Sequence, residues 1–407
     1  MANIIEIISY ILLFFILYFQ VFFLLSFFND KKRKNWYKTP ENKDYFPTTS
    51  IIVPCFNEEK TVSSTIDSLL SLDYPKDKLK IIAVNDGSTD STLSILNKYK
   101  EKFGIVVLDK ENGGKHTALN LALENIDTEL VGCLDADSFV DKMALSKLVP
   151  YFKKEDIMAV IPAVVVHKPS NLLQLIQKAE YNIAVLVRRI LCNLNAIYVP
   201  PGPFSIFRKK VFDTIGGYKH GHTTEDMEIA MRMQKHHMKI ENSPESLVYT
   251  VTPKTISALQ KQRVRWQYGF FKNALDYKSL FFKKEYGNFG RYVPFAYMVV
   301  FVSLYFFFFM IYNFISAIYR KILELSLVGF NLNFNWFFIN TKVMIFLGLL
   351  LITTSIFILI ASRKMVNEKR LLSKDIILFL FLYGFISPFW VMKAVYNVAM
   401  EKGVSWR

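Results

Sequence analysis

The sequence predicts an α/β domain with a mainly parallel sheet, joined to several membrane-spanning helices. Three observations support this class. Short apolar runs alternate with polar turns and helical stretches between residues 48 and 254, and long apolar runs lie on both sides of that segment. In addition, 52% of the 407 residues are hydrophobic, with 37 Phe and 21 Tyr. This content is higher than that of an ordinary soluble protein, and membrane spans account for the excess.

The first element is an apolar run over residues 4–28. As a helix of about 25 residues with a rise of about 1.5 Å per residue, it is long enough to cross a hydrocarbon core of about 30 Å. Residues 1–3 are uncharged and the basic residues 31–34 follow the run, which is the reverse of the order in a cleaved signal peptide. We therefore assign residues 1–30 to an N-terminal transmembrane helix whose basic end lies in the cytoplasm.

Three further spans are predicted at residues 292–319, 343–361 and 376–399, so residues 292–407 form a C-terminal transmembrane region. Residues 31–254 contain no uninterrupted apolar run long enough to span and are expected to form one cytosolic domain. The sequence thus predicts a multi-pass protein of the cell (plasma) membrane. A basic loop between the last two spans indicates the same orientation as the first cluster. Its charges are Arg363, Lys364, Lys369, Arg370 and Lys374.

The formal net charge is +15 at pH 7. Positive-inside placement and attraction to anionic lipids or a diphosphate explain this charge. Binding to nucleic acid is disfavoured, because no stripe of base-stacking aromatic residues accompanies it. Cys55, Cys133 and Cys192 are widely spaced without a CxxC pair, which favours a reducing compartment over a disulfide framework or a zinc site.

The alternating elements of the soluble segment indicate a sheet built largely of parallel strands. In such sheets, ligands bind beyond the carboxyl ends of the strands, so functional residues are expected in the loops that follow them. Predicted strands cover residues 50–54, 80–84, 105–108, 130–134 and 159–165, and helices are predicted at 57–71, 88–100 and 227–239.

Asp86 and Gly87 follow the second predicted strand and begin a tight turn. Local structure alone explains an Asp-Gly pair at this place. In the functional interpretation, Asp86 accepts a hydrogen bond from the imide of a nucleotide base, with Glu58 from the loop after the first strand beside it.

Two carboxylates, Asp135 and Asp137, follow the fourth predicted strand. In an extended segment, side chains two residues apart share one face. Hard oxygen ligands of this kind suit Mg²⁺ or Mn²⁺ held jointly with substrate phosphates. A solvated acidic turn is the alternative interpretation.

Thr224, Glu225 and Asp226 stand at the start of the helix predicted at 227–239. Acids are expected there in any case, because they complement the helix dipole and the free N–H groups. In the functional interpretation, a carboxylate at this position faces the crevice and takes a proton from an acceptor hydroxyl. Lys115, presented by a Gly-Gly turn, is expected to contact phosphate, although the segment lacks the Walker A pattern.

Two basic amphipathic stretches, at residues 171–194 and 255–277, are predicted as helices of the membrane interface or of the domain surface. The second lies close to the next span, so residues 255–291 are assigned to an interfacial segment. This segment contains the pentapeptide QRVRW at residues 262–266. Arg and Trp at this spacing offer an anion clamp and a flat apolar platform, which suit a phosphorylated sugar donor.

In this order, the motifs resemble those of the membrane-embedded family 2 glycosyltransferases that build β-linked polysaccharides, the group that includes poly-N-acetylglucosamine, hyaluronan, chitin and cellulose synthases. The resemblance covers about half of the chain, together with the flanking spans. It is carried by the ordered segments VPCFNE (53–58), NDGS (85–88), DAD (135–137), TED (224–226) and QRVRW (262–266).

The resemblance implies a GT-A nucleotide-sugar domain that performs inverting, metal-dependent transfer from a UDP-sugar, with UDP-N-acetylglucosamine as the favoured donor. The implied acceptor is a growing β-linked polysaccharide at the cytosolic face of the membrane. Whether the polymer is also exported stays open at this point. Asp226 is implied as the catalytic base, with Glu225 beside it, and Asp137 and Asp135 as ligands of Mg²⁺ or Mn²⁺. The residues implied in donor binding are Pro54, Asn57, Glu58, Asp86, Lys115, Asp135, Gln262, Arg265 and Trp266.

Two other interpretations stay open at this point. One is a transferase that adds a single sugar to a polyprenyl phosphate or another lipid, and the other is a membrane scaffold or transporter that only binds a nucleotide-sugar. Transport predicts ionisable residues deep within the spans, whereas Glu6 and Lys393 lie toward their ends. Four predicted spans are few for a polymer channel, so a homo-oligomer or a small membrane partner subunit is expected.

Overall fold

The computed structural model describes residues 4–31, 39–40, 44–328 and 343–404. Most of the basic cluster at 31–34 lies outside the described residues. An eight-stranded sheet in the order β3-β2-β1-β4-β7-β6-β8-β5 forms the centre of the domain that follows the first helix. Its strands are β1 (Thr49–Cys55), β2 (Leu79–Asp86), β3 (Val106–Lys110), β4 (Leu130–Cys133), β5 (Ser138–Val140), β6 (Ile157–Val166), β7 (Ser205–Arg208) and β8 (Lys239–Thr250).

The sheet is mainly parallel, as predicted. Strand β1 pairs in parallel with both β2 and β4, β2 pairs in parallel with β3, and β6 pairs in parallel with β8. Strands β7 and β5 run antiparallel to their neighbours. Strand β1 is a nearly continuous apolar run because both of its faces are covered: Ile51 and Val53 pack into one apolar cluster, and Ile52 packs into the other.

Helices cover both faces of this sheet and lead from it into the membrane segments. The helices of the sheet domain are α2 (Val62–Leu70), α3 (Thr92–Phe103), α4 (Lys115–Leu123), α5 (Leu172–Asn193), α6 (Lys209–Ile215), α7 (Glu225–Lys235) and α8 (Ile256–Asp276). The long apolar helices are α1 (Ile4–Lys31), α9 (Gly287–Val328) and α10 (Val343–Met365), and a last segment comprises α11 (Lys374–Leu378), a π-helical stretch and α12 (Gly384–Ala399).

Several predicted boundaries are wrong. The helix predicted at 57–71 begins at Val62, because Asn57 has a φ of +54° and forms part of a turn. The helix predicted at 88–100 covers Thr92–Phe103. The helix predicted at 227–239 covers Glu225–Lys235, and the left-handed φ of +55° at His237 turns the chain into β8. Strand β8 itself was not predicted, because polar residues in its middle interrupt the apolar pattern by which a strand is recognised.

Four helical segments in the described part of the chain are long and apolar enough to cross a membrane: Ile7–Phe28, Lys284–Leu327, Ile345–Met365 and Lys374–Ala399. Helix α9 has 42 residues and extends beyond the span predicted at 292–319 at both ends. The last span contains a π-helical stretch at Phe379–Tyr383. The four predicted spans therefore correspond to the four apolar helical segments.

Helix α5 connects the sheet to the apolar helices. It packs on β6 and β8 on one side and on α10 and α11 on the other. A second connection is the packing of α8 on α12. Lys178 of α5 forms an ion pair of 2.6 Å with Glu368, which lies in the loop between α10 and α11. The basic loop predicted between the last two spans thus contacts the same helix that supports the sheet.

Candidate active site

A cavity of about 880 Å³ lies at the carboxyl edge of the parallel strands. It extends from the loops after β1, β2 and β4 to Ala296 and Val300 of α9. The fold therefore brings together loops that are far apart in the chain, as expected for this class of sheet. Among the residues predicted for the site, those that line the cavity are Pro54, Glu58, Asp86, Lys115, Asp135, Asp137, Glu225, Asp226, Gln262, Arg265 and Trp266.

Asn57 is the predicted site residue that does not line this cavity. Its Oδ1 accepts a hydrogen bond of 2.8 Å from the backbone N–H of Thr89, and its own N–H donates to Ser88 Oγ at 3.0 Å. The N–H of Glu58 donates to Thr92 Oγ1 at 2.8 Å. These bonds join the loop after β1 to the loop after β2, so Asn57 shapes the site through the backbone.

Asp86 is buried at the end of β2, and both of its carboxylate oxygens accept hydrogen bonds. Oδ1 accepts from Lys110 Nζ at 2.7 Å and from the N–H of Gly113 at 3.0 Å, and Oδ2 accepts from the N–H of Gly114 at 2.9 Å. Asp86 therefore orders the Gly-Gly turn that precedes α4. The following Gly87 has a φ of +71°, and a Cβ at this position would lie 2.6 Å from the backbone N of Asn112.

Lys115, at the first position of α4, bridges two carboxylates. Its Nζ lies 2.7 Å from Oδ1 of Asp135 and 2.9 Å from Oε1 of Glu225. Burial lowers the pKa of Lys115, but the two carboxylates outweigh this effect and raise it well above its ordinary value. Lys115 is therefore a cation at the centre of an acidic site, between the loop after β4 and the start of α7.

Asp137 lies beside Asp135 in the loop after β4. Burial, together with the negative charges of Asp135 and Glu58, raises the pKa of Asp137 to about 7. Ser138 Oγ donates to Oδ1 of Asp137 at 3.3 Å. A buried carboxylate repelled by neighbouring carboxylates is stabilised by a cation, so the environment of Asp137 suits a positively charged ligand.

Glu225 and Asp226 occupy the first turn of α7. Burial and the adjacent Glu225 raise the pKa of Asp226 to about 6. Oδ1 of Asp226 accepts a hydrogen bond of 2.9 Å from the N–H of Met227, which also donates to the backbone O of Thr224 at 3.1 Å. A carboxyl group with this pKa titrates near neutral pH and is suited to accept a proton.

The two arginines of the QRVRW pentapeptide have different surroundings. Nη1 of Arg265 donates to the backbone O of Thr223 at 3.0 Å. Burial lowers the pKa of Arg265, while Glu225 and Asp226 have the opposite effect, so its guanidinium belongs to the acidic site. The guanidinium of Arg263 lies over the ring of Trp266, 4.2 Å from its centroid. Arg263 rather than Arg265 therefore forms the cation–π pair with Trp266.

Residues 47–269 match a family model described as Glycosyltransferase like family 2. The chain belongs to this family. It is 30% identical to a poly-beta-1,6-N-acetyl-D-glucosamine synthase of Staphylococcus epidermidis over 359 residues, which are 85% of this chain and 81% of that protein. It is 29% identical to a synthase of the same name from Staphylococcus aureus over 266 residues, which are 63% of this chain and 64% of that one.

Among solved structures, the glycosyltransferase is similar to the mannosyltransferase PcManGT from Pyrobaculum calidifontis, in complex with GDP-Man and Mn²⁺. The similarity covers 98% of this chain and 100% of that one, with a TM-score of 0.63 and 17% sequence identity. At this identity the similarity concerns the fold, and it agrees with the predicted GT-A domain together with its apolar helices.

The acidic site of the glycosyltransferase has the donor atoms that a hard divalent cation requires. Asp135 and Asp137 supply carboxylate oxygens, the ligand type of Mg²⁺ and Mn²⁺. Within the described residues, no group of three or more His, Cys, Asp or Glu side chains is arranged to hold a metal ion alone. A cation at this pair would therefore take further oxygens from a bound diphosphate, which is a common arrangement for Mg²⁺.

Sequence reasoning missed several cavity residues of the glycosyltransferase, among them Glu180, Tyr181 and Arg188 of α5, and Gln267 of α8. Oε2 of Glu180 accepts from Nη2 of Arg263 at 2.7 Å. The basic amphipathic stretch at 171–194 was recognised, but its charges were assigned to a surface or an interface. The available signal was the placement of Glu180 and Arg188 eight positions apart in a helix with a marked apolar face.

Proposed function

We propose that this glycosyltransferase transfers N-acetylglucosamine from UDP-N-acetylglucosamine to the growing end of a β-1,6-linked polymer. The names of its relatives support the sugar and the linkage. The observation that carries the reaction is the position of Asp226. It lines one cavity together with Asp135, Asp137 and Trp266, so a base, a diphosphate site and a sugar platform share one space.

Asp86 and Glu58 bind the uridine in this proposal. Three hydrogen bonds already reach the carboxylate of Asp86. An ionised carboxylate has about four lone-pair sites, so Asp86 keeps capacity for the N–H of the uracil imide. Lys110 and the Gly-Gly turn at Gly113 then hold the carboxylate in a fixed direction, which favours binding without rearrangement.

Asp135 and Asp137 would hold Mg²⁺ or Mn²⁺ together with the donor diphosphate, and the bound ion would supply charge neutralisation for the leaving UDP. Lys115 contacts Asp135, one of these two carboxylates, and places its positive charge between Asp135 and Glu225. Arg265 donates hydrogen bonds to the departing diphosphate, as a planar guanidinium suits phosphate oxygens.

Asp226 takes the proton from the acceptor hydroxyl as its oxygen bonds to the anomeric carbon. The bond from that carbon to the diphosphate oxygen breaks, and UDP leaves with the electron pair. Attack from the opposite face converts an α-linked donor into a β-linked product. Trp266, fixed by Arg263 at 4.2 Å, supports the apolar face of the acceptor sugar.

The sheet domain is assigned to the cytosolic side of a multi-pass protein, with residues 1–30, 31–254, 255–291 and 292–407 as its successive parts. The ion pair between Lys178 and Glu368 supports this assignment, because it holds the basic loop of the last two spans against α5. Ala296 and Val300 line the far end of the cavity and belong to α9. A growing polymer would therefore leave toward the membrane, with a second copy or a small subunit completing a channel.

The test is incubation of the purified full-length protein in detergent with Mg²⁺ or Mn²⁺ and a panel of UDP-sugars. UDP release and product size are measured. We expect UDP release and long polymer from UDP-N-acetylglucosamine alone. A product carrying a single sugar on a lipid would contradict polymer synthesis, and UDP release from a different donor would contradict the proposed sugar.

A further inference from the structure

The cavity has apolar and aromatic walls, to which Tyr181, Leu191 and Tyr198 contribute. Arg188 of α5 lines the same cavity. Its Nη1 is buried and has no hydrogen-bond partner, and Arg188 forms no ion pair within the described part of the chain. A buried guanidinium nitrogen without an acceptor is costly, so a ligand that supplies an oxygen is expected here.

Gln267 of α8 lines the same cavity, and its Oε1 is also buried without a hydrogen-bond partner. Gln262 has the same property. A fitting ligand must therefore accept from a guanidinium and also donate to amide oxygens. A phosphate group only accepts hydrogen bonds, whereas an amino sugar with hydroxyl and acetamido groups does both. The unsatisfied atoms favour a neutral sugar over a lipid phosphate.

The charge around Arg188 agrees with a place next to the reacting hydroxyl. Burial lowers the pKa of Arg188, while Tyr181, Tyr198 and Asp226 act in the opposite direction. Asp226 is the one carboxylate among these groups, so the guanidinium of Arg188 interacts electrostatically with the proposed base. The other cations that line the cavity, Lys115 and Arg265, interact with the carboxylates of the acidic site.

We infer that Arg188 and Gln267 form an acceptor subsite, in which the guanidinium of Arg188 donates to the acetamido carbonyl of the acceptor sugar and Gln267 bonds a sugar hydroxyl. This inference rests on the proposed function, since it presupposes an N-acetylglucosamine acceptor. The acetamido methyl group packs against the apolar wall at Leu191. The same guanidinium repels the ammonium group of a deacetylated sugar, so Arg188 also selects for acetylated acceptors.

The test compares binding of two oligosaccharides to the full-length protein in the presence of UDP. One is a β-1,6-linked N-acetylglucosamine oligomer, and the other is its deacetylated form of the same length. Arg188→Gln is expected to weaken binding of the acetylated oligomer about tenfold, the loss of one charge-assisted hydrogen bond, and to bring the two affinities closer together. Arg188→Lys keeps the charge and should still reject the deacetylated oligomer. Lys98→Gln, which removes an exposed charge on α3, should bind as the wild type does.

The KM for each substrate is measured with the same variants. The expected pattern is a higher KM for the acceptor oligomer with an unchanged KM for the donor. A tenfold rise in the donor KM would instead assign Arg188 to the diphosphate and overturn the inference. Equal weakening toward both oligomers by Arg188→Gln, or none, would overturn it as well. Thermal unfolding midpoints in detergent identify a variant that misfolds. If Arg188→Gln does, Gln267→Ala replaces it: it should raise the acceptor KM and leave the donor KM unchanged, and it should weaken both oligomers equally, because both carry the hydroxyl. Unchanged binding of both oligomers by Gln267→Ala would overturn the inference.

Failure of the subsite and failure of the proposed function give different results. If the wild-type protein binds the acetylated oligomer and Arg188→Gln weakens it, the subsite stands even when no polymer forms from UDP-N-acetylglucosamine. If polymer forms but Arg188→Gln binds both oligomers as the wild type does, the subsite is wrong and the proposed function stands.

Discussion

Glu180 of α5 and Arg263 of α8 form an ion pair of 2.7 Å between two helices of the sheet domain. The other carboxylate oxygen of Glu180 accepts a hydrogen bond of 3.0 Å from Tyr383, at the end of the π-helical stretch. Arg263 in turn lies over Trp266. One carboxylate thus links a cavity helix, the pentapeptide helix and the last apolar segment, and it holds the guanidinium that lies over Trp266.

Replacing Glu180 by Gln leaves the buried Arg263 without a counter-charge. Because removal of one partner of a buried pair is strongly unfavourable, we expect a loss of about 2 kcal/mol in the free energy of unfolding and a lower thermal midpoint in detergent. Glu324→Gln is the matched control, since it breaks an exposed ion pair with Lys321 on α9 and should cost almost nothing. Equal midpoints for the two variants would show that the Glu180 pair does not stabilise the fold.

Asp226→Asn removes the proposed base and keeps the size of the side chain. We expect the rate of transfer to fall by about three orders of magnitude, while the affinity for UDP changes little, because Asp86 and Glu58 are intact. Initial rates and equilibrium UDP binding are the measurements. Asp213→Asn, on the exposed part of α6, serves as the control. Transfer at the wild-type rate would exclude Asp226 as the base.

The pH dependence of the reaction follows from the same residue. The base must be ionised, and burial together with Glu225 raises the pKa of Asp226 to about 6. At saturating metal, kcat/KM for the acceptor should be constant above neutral pH and fall about tenfold per unit below pH 6. An ordinary Asp, with a pKa of about 3.9, would place this fall two units lower. An inflection near pH 4 would therefore contradict the environment described for Asp226.

The acidic pair predicts a requirement for a divalent cation. Chelation with EDTA should abolish transfer, and Mg²⁺ or Mn²⁺ should restore it. Asp137→Asn should raise the metal concentration needed for half-maximal activity about tenfold or more, because a ligand oxygen with negative charge is lost. Asp127→Asn, an exposed position, should leave the metal titration unchanged. Activity that persists in EDTA would contradict the role given to Asp135 and Asp137.

Gly87 and Gly104 offer a matched pair for the turn after β2. Both have a left-handed φ, of +71° and +69°, but a Cβ at Gly87 would meet the backbone of Asn112, whereas a Cβ at Gly104 would have no atom within 4 Å. Substitution by Ala at either position should cost about 1 kcal/mol of stability, because a residue with a Cβ disfavours the left-handed conformation. Gly87→Ala should therefore be the less stable variant in thermal unfolding and should also bind UDP more weakly. Equal loss in both would mean that the loop moves aside without cost.

The sequence predicted those strands that are apolar throughout, together with the site residues that directly follow them. Strands β1, β2, β4 and β6, and the acidic residues that follow β2 and β4, can be predicted because these strands are nearly continuous apolar runs. The pentapeptide, which lies in α8, is recognised from its residue types alone. Strands β7 and β8 could not be predicted from the sequence. Strand β7 has only four residues, and β8 carries polar side chains that are buried by pairing with β6. Their pairing is long-range, and local periodicity holds no information about it.

The sequence by itself determined the class of the protein: a mainly parallel GT-A domain with apolar helices on both sides, and the ordered motifs of a family 2 glycosyltransferase. The QRVRW segment was recognised, but its geometry was not. Only the tertiary structure decided that Glu180 pairs with Arg263, whose guanidinium lies over Trp266. It also decided that Lys115 bridges Asp135 and Glu225 and that Arg188 lines the cavity. The ion pairs of Lys115 and Arg263 join residues that are 20 to 110 positions apart. Packing of α5, α7 and α8 around one edge of the sheet brings these residues together.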